Sequence, residues 1–180
     1  MVKGKKLKFS LRRRKVLFSK GPIRLVDCEV AMPNGRILSR QILEHPGAVV
    51  IVPKADSGKY LLIRQFRFAA RDWLWEFPAG GLEAGESQEE AARRELMEET
   101  GFGPRRLKKI LEFYPTPGVS GEVMHVFLAG GLFPARGKPD EDEEIEVREF
   151  TLAQIGRMVR SKAIVDAKTL LGYFYLKLHP

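Results

Sequence analysis

A chain of 180 residues that is 44% apolar can bury one sizeable core and leaves no room for a second domain of similar size. The net charge of +8 comes from one end: Lys3, Lys5, Lys6, Lys8, Arg12, Arg13, Arg14, Lys15 and Lys20 have no acid among them, so the rest of the chain is close to neutral. No apolar run reaches the roughly 18 residues of a membrane helix and the basic end lacks a secretory leader's apolar stretch, so a soluble, cytoplasmic protein without membrane partners is expected.

The basic arm, residues 1 to 20, is expected to be a solvated, partly ordered terminus. Contact with nucleic acid is the sharper alternative, but no aromatic stripe or nucleic-acid motif supports it. Residues 23 to 31 and 36 to 44 read as two strands joined at Pro33-Asn34-Gly35, whose Asn-Gly is a strong hairpin signal. Cys28, the only cysteine, alternates with Val26 and Val30 and reads as a buried inert thiol in a reducing compartment. Gly47 to Pro53 and Lys59 to Phe66 are near-continuous apolar runs around the turn 55 to 58, the pattern of strands covered on both faces. Arg67 closes the second run; its fork suits phosphate oxygens, and a surface strand-end arginine is the plain alternative. Trp73 and Trp75 follow, each able to stack on a base or to fill core.

The stretch that carries chemistry runs from Gly80 to Phe102. Ser87 with Glu90 three residues later reads as a capping box, Gly101 suits the left-handed position past a helix end, and no Pro or Gly interrupts the interval. In a helix over 87 to 99, Glu95, Glu98 and Glu99 fall within about 100° of arc. Carboxylates so close repel one another. The simplest compensation is a hard divalent cation, Mg2+ or Mn2+, held by oxygen ligands and leaving positions open for water and substrate phosphates. The Gly80-Gly81 pair lets backbone approach the same place.

This run resembles the Nudix box: Gly80, five residues, Glu86, seven residues, then Arg94-Glu95-Leu96-Met97-Glu98-Glu99-Thr100-Gly101-Phe102, with each fixed position filled. The segments RQFRFA (64 to 69) and WEFPAGGLEAGE (75 to 86) are similar to the ADP-ribose pyrophosphatase branch of that family.

Beyond the helix, residues 106 to 114 and 122 to 130 look like strands separated by a turn holding Pro115 and Pro117. The resemblance gives Pro117 weight, because a proline fifteen residues past the box marks this branch. It also assigns Glu122 to substrate contact. Residues 139 to 147 form an acidic loop entering a strand; a solvated charge run is the default. By resemblance the loop supplies the general base, Glu141 or Glu143, since crowded carboxylates have raised pKa values suited to taking a proton. The chain closes with helices at 152 to 161 and 166 to 178, the second capped by Asp166. In it Leu170, Leu171, Phe174, Tyr175 and Leu178 read as a core stripe. His45, His125 and His179 lack ligand spacing, so a histidine metal site is not expected.

The resemblance implies the Nudix fold, an α/β (α+β) architecture with a mixed sheet between helices. It divides the chain into the arm (1 to 20), N-terminal strands that exchange across a homodimer (21 to 46) and the hydrolase domain (47 to 180). It implies Mg2+-dependent hydrolysis of ADP-ribose to AMP and ribose 5-phosphate. Glu95, Glu98 and Glu99 then hold the metal with the Ala79 carbonyl, Glu98 bridging to the chemistry, while Arg67 and Arg40, the latter across a dimer, hold substrate. Gly80, Glu86, Arg94 and Gly101 are structural, with Arg94 and Glu86 clamping the glycine loop to the helix. Another nucleoside diphosphate sugar, ADP-glucose or GDP-mannose, is the alternative, because Pro22 and Ile23 stand where relatives can place a base-stacking aromatic. A non-catalytic nucleotide- or RNA-binding module is the third reading; such modules usually lose the metal glutamates kept here.

Overall fold

The computed structural model describes residues 9–137 and 144–179. The chain divides into two compact units. The first comprises the described part of Met1–Pro46 together with Thr116–Glu122. Strands β1 (Ser10–Lys20), β2 (Ile23–Ala31) and β3 (Ile37–Glu44) form an antiparallel sheet in that order. The hairpin between β2 and β3 turns at the expected Asn-Gly, with the Asn34 side chain accepting from the Arg36 N–H at 3.1 Å.

Strand β1 departs from the expectation of a solvated arm. Its eleven residues are all exposed, so it carries no alternating burial to betray it. Its acidic partners stand on the neighbouring strands: Arg13 pairs with Asp27 at 3.2 Å and Glu29 at 2.7 Å, and Arg14 Nε donates to Glu44 at 2.7 Å. The loop 116–122 is tied to β3, with the Leu43 N–H donating to the Val119 carbonyl at 2.9 Å.

The second unit, Gly47–Pro115 with Val123–Pro180, is built on a seven-stranded mixed sheet. Its strands are β4 (Ala48–Lys54), β5 (Tyr60–Arg67), β6 (Asp72–Glu76), β7 (Ala79–Gly81), β8 (Phe102–Phe113), β9 (Met124–Pro134) and β10 (Glu146–Phe150). The path runs β10-β5-β4-β9-β8, with β6 paired to β5 and β7 paired to β4. Only β4 and β9 run parallel; the other pairs are antiparallel.

Helices α1 (Gln88–Thr100), α2 (Leu152–Arg160) and α3 (Ala167–Leu178) complete the unit. Alternate residues of β4 enter different cores, as the two-residue period of a strand requires. Val49 and Ile51 join Ala91, Ala92 and Leu96 of α1 with Phe127 and Ala129 of β9. Val50 and Val52 join Phe77, Ile155 of α2, Ile164, and Tyr173 and Leu176 of α3. The sheet thus lies between α1 and the α2–α3 pair, and six consecutive residues of β4 are buried. Among the described residues no helix is long and apolar enough to cross a membrane.

The core face of α3 differs from the expected stripe. Its buried residues are Lys168, Thr169, Gly172, Tyr173 and Leu176, whereas Leu171, Phe174 and Leu178 are 38, 51 and 76% exposed. The helix is apolar nearly all round, so two stripes at helical spacing compete. The face with Gly172 and Thr169 wins because it lets the backbone approach Phe77, whose N–H donates to Thr169 Oγ1 at 2.8 Å.

Truncation distinguishes the two faces. Leu176→Ala should cost about 2–5 kcal/mol in urea unfolding, and Phe174→Ser less than about 0.5 kcal/mol.

Candidate active site

Helix α1 begins where Ser87 folds back over its first turn. Ser87 Oγ accepts from the Glu90 N–H at 3.3 Å and Glu90 Oε2 accepts from the Ser87 N–H at 2.9 Å, satisfying two otherwise orphan donors. Glu89 and Glu90 sit in the first turn, where the helix dipole favours negative charge. Gly101, at φ 73°, ends the helix by donating to the Met97 carbonyl at 2.9 Å. Ala91, Ala92 and Leu96 are buried against the sheet, while Arg94, Glu95 and Glu98 line the partly buried side that meets the glycine loop.

Arg94 organises that side, and all five of its N–H donors are engaged. Nε and Nη2 grip the two oxygens of Glu86 at 2.8 and 2.9 Å, and Nη2 also donates to the Gly81 carbonyl at 3.0 Å. Nη1 donates to Glu95 at 2.7 Å and Glu98 at 3.0 Å. The glycine loop is thereby held against the helix. The guanidinium also supplies countercharge to the acids, a role that spacing alone did not disclose. Among the described residues, three hydrogen-bonded carboxylates share this one guanidinium.

Gly80 and Glu99 complete the cradle. A Cβ at Gly80 would lie 2.0 Å from the Glu95 carboxyl carbon, so only glycine lets this carboxylate rest on the loop. Glu99 is 6% exposed, and its Oε2 accepts from the Ala79 N–H at 2.9 Å. Among the described residues no three acid, histidine or cysteine side chains already converge as metal ligands. The donors nevertheless fit a hard divalent cation in kind. They are all oxygens, and a carboxylate has about four acceptor sites, so bonding to Arg94 does not exhaust Glu95 or Glu98.

Arg67, at the end of β5, is not a free fork. Its Nε and Nη2 are taken by Glu76 at 2.9 and 2.6 Å. Glu76 is 1% exposed and also receives the Lys168 ammonium from α3. Burial pushes its carboxyl upward, but the Arg67 hydrogen bond and the Lys168 and Arg67 charges prevail and hold it below the usual range. Of the two tryptophans, Trp75 packs against the core and meets Phe150 edge-on at 5.1 Å. Trp73 lines a cavity of about 320 Å³ with Arg64 and residues 144–146.

Arg40, Pro117 and Glu122 belong to the first unit. Arg40 is exposed on β3, its Nη1 donating to the Ser39 carbonyl at 2.8 Å. Pro117 stands in the turn before Val119, and Glu122 lies 3.6 Å from His45 Nδ1. Glu141 and Glu143 lie outside the described residues. Sequence reasoning missed Glu76, Lys168 and Gly137. A lone acid inside the apolar run 73 to 77 was the available signal for Glu76. Gly137, just before the acidic loop, packs so closely on α1 that a Cβ would lie 2.0 Å from the Met97 carbonyl oxygen.

Comparison with known proteins identifies the family. The family model described as NUDIX domain matches residues 44–171. An ADP-ribose pyrophosphatase of Bacillus subtilis is 43% identical over 164 residues, covering 90% of this chain and 89% of that protein. A GDP-mannose pyrophosphatase of Salmonella paratyphi B is 32% identical over 166 residues, covering 86% and 87%. A solved structure described as an ADP compounds hydrolase shares the fold, with a TM-score of 0.82 at 24% identity over 97% of this chain and 95% of that one.

Two predictions test the cradle. Gly80→Ala pushes against the mobile end of a side chain and should cost about 1 kcal/mol, whereas Gly137→Ala pushes against helix backbone and should cost about 3 kcal/mol in urea unfolding. The second concerns pH. The Arg94 hydrogen bond holds the Glu86 carboxyl below the usual range despite burial. The stability it brings is complete above the unfolded pKa of about 4.3 and is lost as pH falls through the lower folded value. Glu86→Gln should flatten that acid limb, read as a smaller fall in urea midpoint between about pH 5 and 3.

Proposed function

The chain belongs to the Nudix family and is a hydrolase of diphosphate bonds, and from that premise we propose that its substrate is ADP-ribose, cleaved to AMP and ribose 5-phosphate. The observation that carries the site assignment is the convergence of Glu86, Glu95 and Glu98 on Arg94 beside the glycine loop, a crowd of oxygen donors of the kind a hard divalent cation takes. The substrate named for the Bacillus subtilis relative puts ADP-ribose first. GDP-mannose is the second reading, favoured by the Salmonella relative and by Pro22 and Ile23 in place of a stacking aromatic.

Enzymes of this family work with divalent metal ions; the proposed ion here is Mg2+, with Mn2+ as a substitute. Glu95, Glu98, Glu99 and the Ala79 carbonyl would hold it. When bound, such an ion neutralises phosphate oxygens and lowers the pKa of a bound water. The rest falls to the chain's own side chains. Arg67 meets the diphosphate, and Arg40, Glu122 and Pro117 contribute substrate contacts. Glu141 or Glu143 takes the proton as water adds to phosphorus and the bridging P–O bond breaks. Arg94, Glu86, Gly80 and Gly101 maintain the loop and helix that carry the ligands.

A homodimer placing Arg40 beside a partner's substrate is part of the proposal. Its support is the row of exposed apolar side chains Phe9, Leu11, Leu17 and Phe18 along and beside β1, with Ile37 on β3.

A panel of ADP-ribose, ADP-glucose and GDP-mannose, incubated with Mg2+ and resolved chromatographically, tests the substrate. ADP-ribose should be turned over fastest, and Glu99→Gln should lower kcat by at least about 100-fold. Wild-type turnover by Glu99→Gln would remove the ligand assignment, and a monomeric mass by light scattering would remove the dimer.

A further inference from the structure

The ion cluster behind Arg67 is larger than a strand end requires. Glu76 receives Arg67 from one side and Lys168 from the other, and Lys168 also donates to Asp166 at 2.9 Å. Asp166 caps α3 by accepting from the Thr169 N–H at 2.9 Å and the Thr169 hydroxyl at 2.6 Å, and Thr169 Oγ1 in turn accepts from the Phe77 N–H. The end of β6 is thus fastened to the start of α3 just before Ala79 and Gly80. Two acids and two bases balance, with Glu76 the most buried.

Stability does not explain the arrangement. Buried ion clusters commonly contribute no more than well-packed apolar side chains of the same volume. What the cluster does is fix one guanidinium. Glu76 occupies the Nε–Nη2 edge of Arg67, while the side chain remains 37% exposed. The edge still able to meet an external ligand is the one carrying Nη1. Glu76 itself stands three residues before Ala79, whose N–H donates to Glu99 of α1 at 2.9 Å. Arg67 is therefore oriented in advance by a residue of the same short segment that meets the acid-bearing helix.

We propose that Glu76 is a positioning residue for substrate binding: by holding the inner edge of Arg67, it presents the Nη1 edge to the diphosphate. The inference rests on the reading that Arg67 contacts the diphosphate. A preordered arginine removes the ordering cost of a long side chain from the binding step. Its loss affects the ground state and the transition state alike, so it raises KM and leaves kcat nearly unchanged. Lys168 lies on the far side of Glu76 and does not hold Arg67. Removing it leaves one carboxylate on one guanidinium.

Three variants of the full chain, assayed with ADP-ribose and Mg2+, test this. Arg67→Ala and Glu76→Gln should each raise KM about 10-fold with kcat within about 2-fold of the parent, while Lys168→Met changes KM less than about 2-fold. All three disturb the same buried cluster, so a purely structural role would not separate Glu76 from Lys168. A raised KM in Arg67→Ala with a parental KM in Glu76→Gln overturns the positioning role and leaves the Arg67 contact standing. A parental KM in Arg67→Ala overturns the contact and the inference together. Should Glu76→Gln fail to fold, the double variant Glu76→Gln/Lys168→Met removes the acid and the amine together, and the same KM criterion applies.

Discussion

Five donors on one guanidinium hold this site in shape. Arg94 joins the glycine loop, through Glu86 and the Gly81 carbonyl, to the helix face carrying Glu95 and Glu98. Everything around it makes that junction possible. The caps set where α1 begins and ends, the small side chains Ala91 and Ala92 let it lie close to the sheet, and Gly80 leaves space for a carboxylate. Three carboxylates gathered on one guanidinium are oxygen donors of the kind a hard divalent ion takes.

Arg67 illustrates the same design at shorter range. A free arginine on a strand end is a mobile charge with many rotamers. Tied along one edge to a carboxylate that is itself gripped from α3, it becomes a charge of fixed orientation. Arg94 and Arg67 both spend donors on acids rather than on solvent, partly buried ones for Arg94 and the buried Glu76 for Arg67.

The helix, its caps and the acidic box were legible because they are local: Ser87, Glu90 and Gly101 act on backbone three or four residues away, and the spacing of Glu95, Glu98 and Glu99 follows from the helical repeat. The hairpin at Asn34-Gly35 and the doubly covered β4 were readable for similar reasons. Strand β1 was hidden because its charges are satisfied by Asp27, Glu29 and Glu44 on other strands, not by neighbours in sequence. The α3 face was misread because an all-round apolar helix offers two stripes, and what decides between them is how closely Gly172 lets the helix reach Phe77. The Glu76–Lys168 link joins residues 92 apart, a distance over which spacing carries no information.

Strand β4 sends Val49 and Ile51 into the layer under α1, and Val50 and Val52 into the layer under α2 and α3. The two layers share little but backbone along this ladder. A change in side-chain volume under α3 therefore reaches the carboxylates of α1 by one short path, because Ala79 packs against the α3 layer while its N–H donates to Glu99. Remodelling of that layer is thus constrained most where Phe77 and Ala79 enter it, and least at positions remote from that corner.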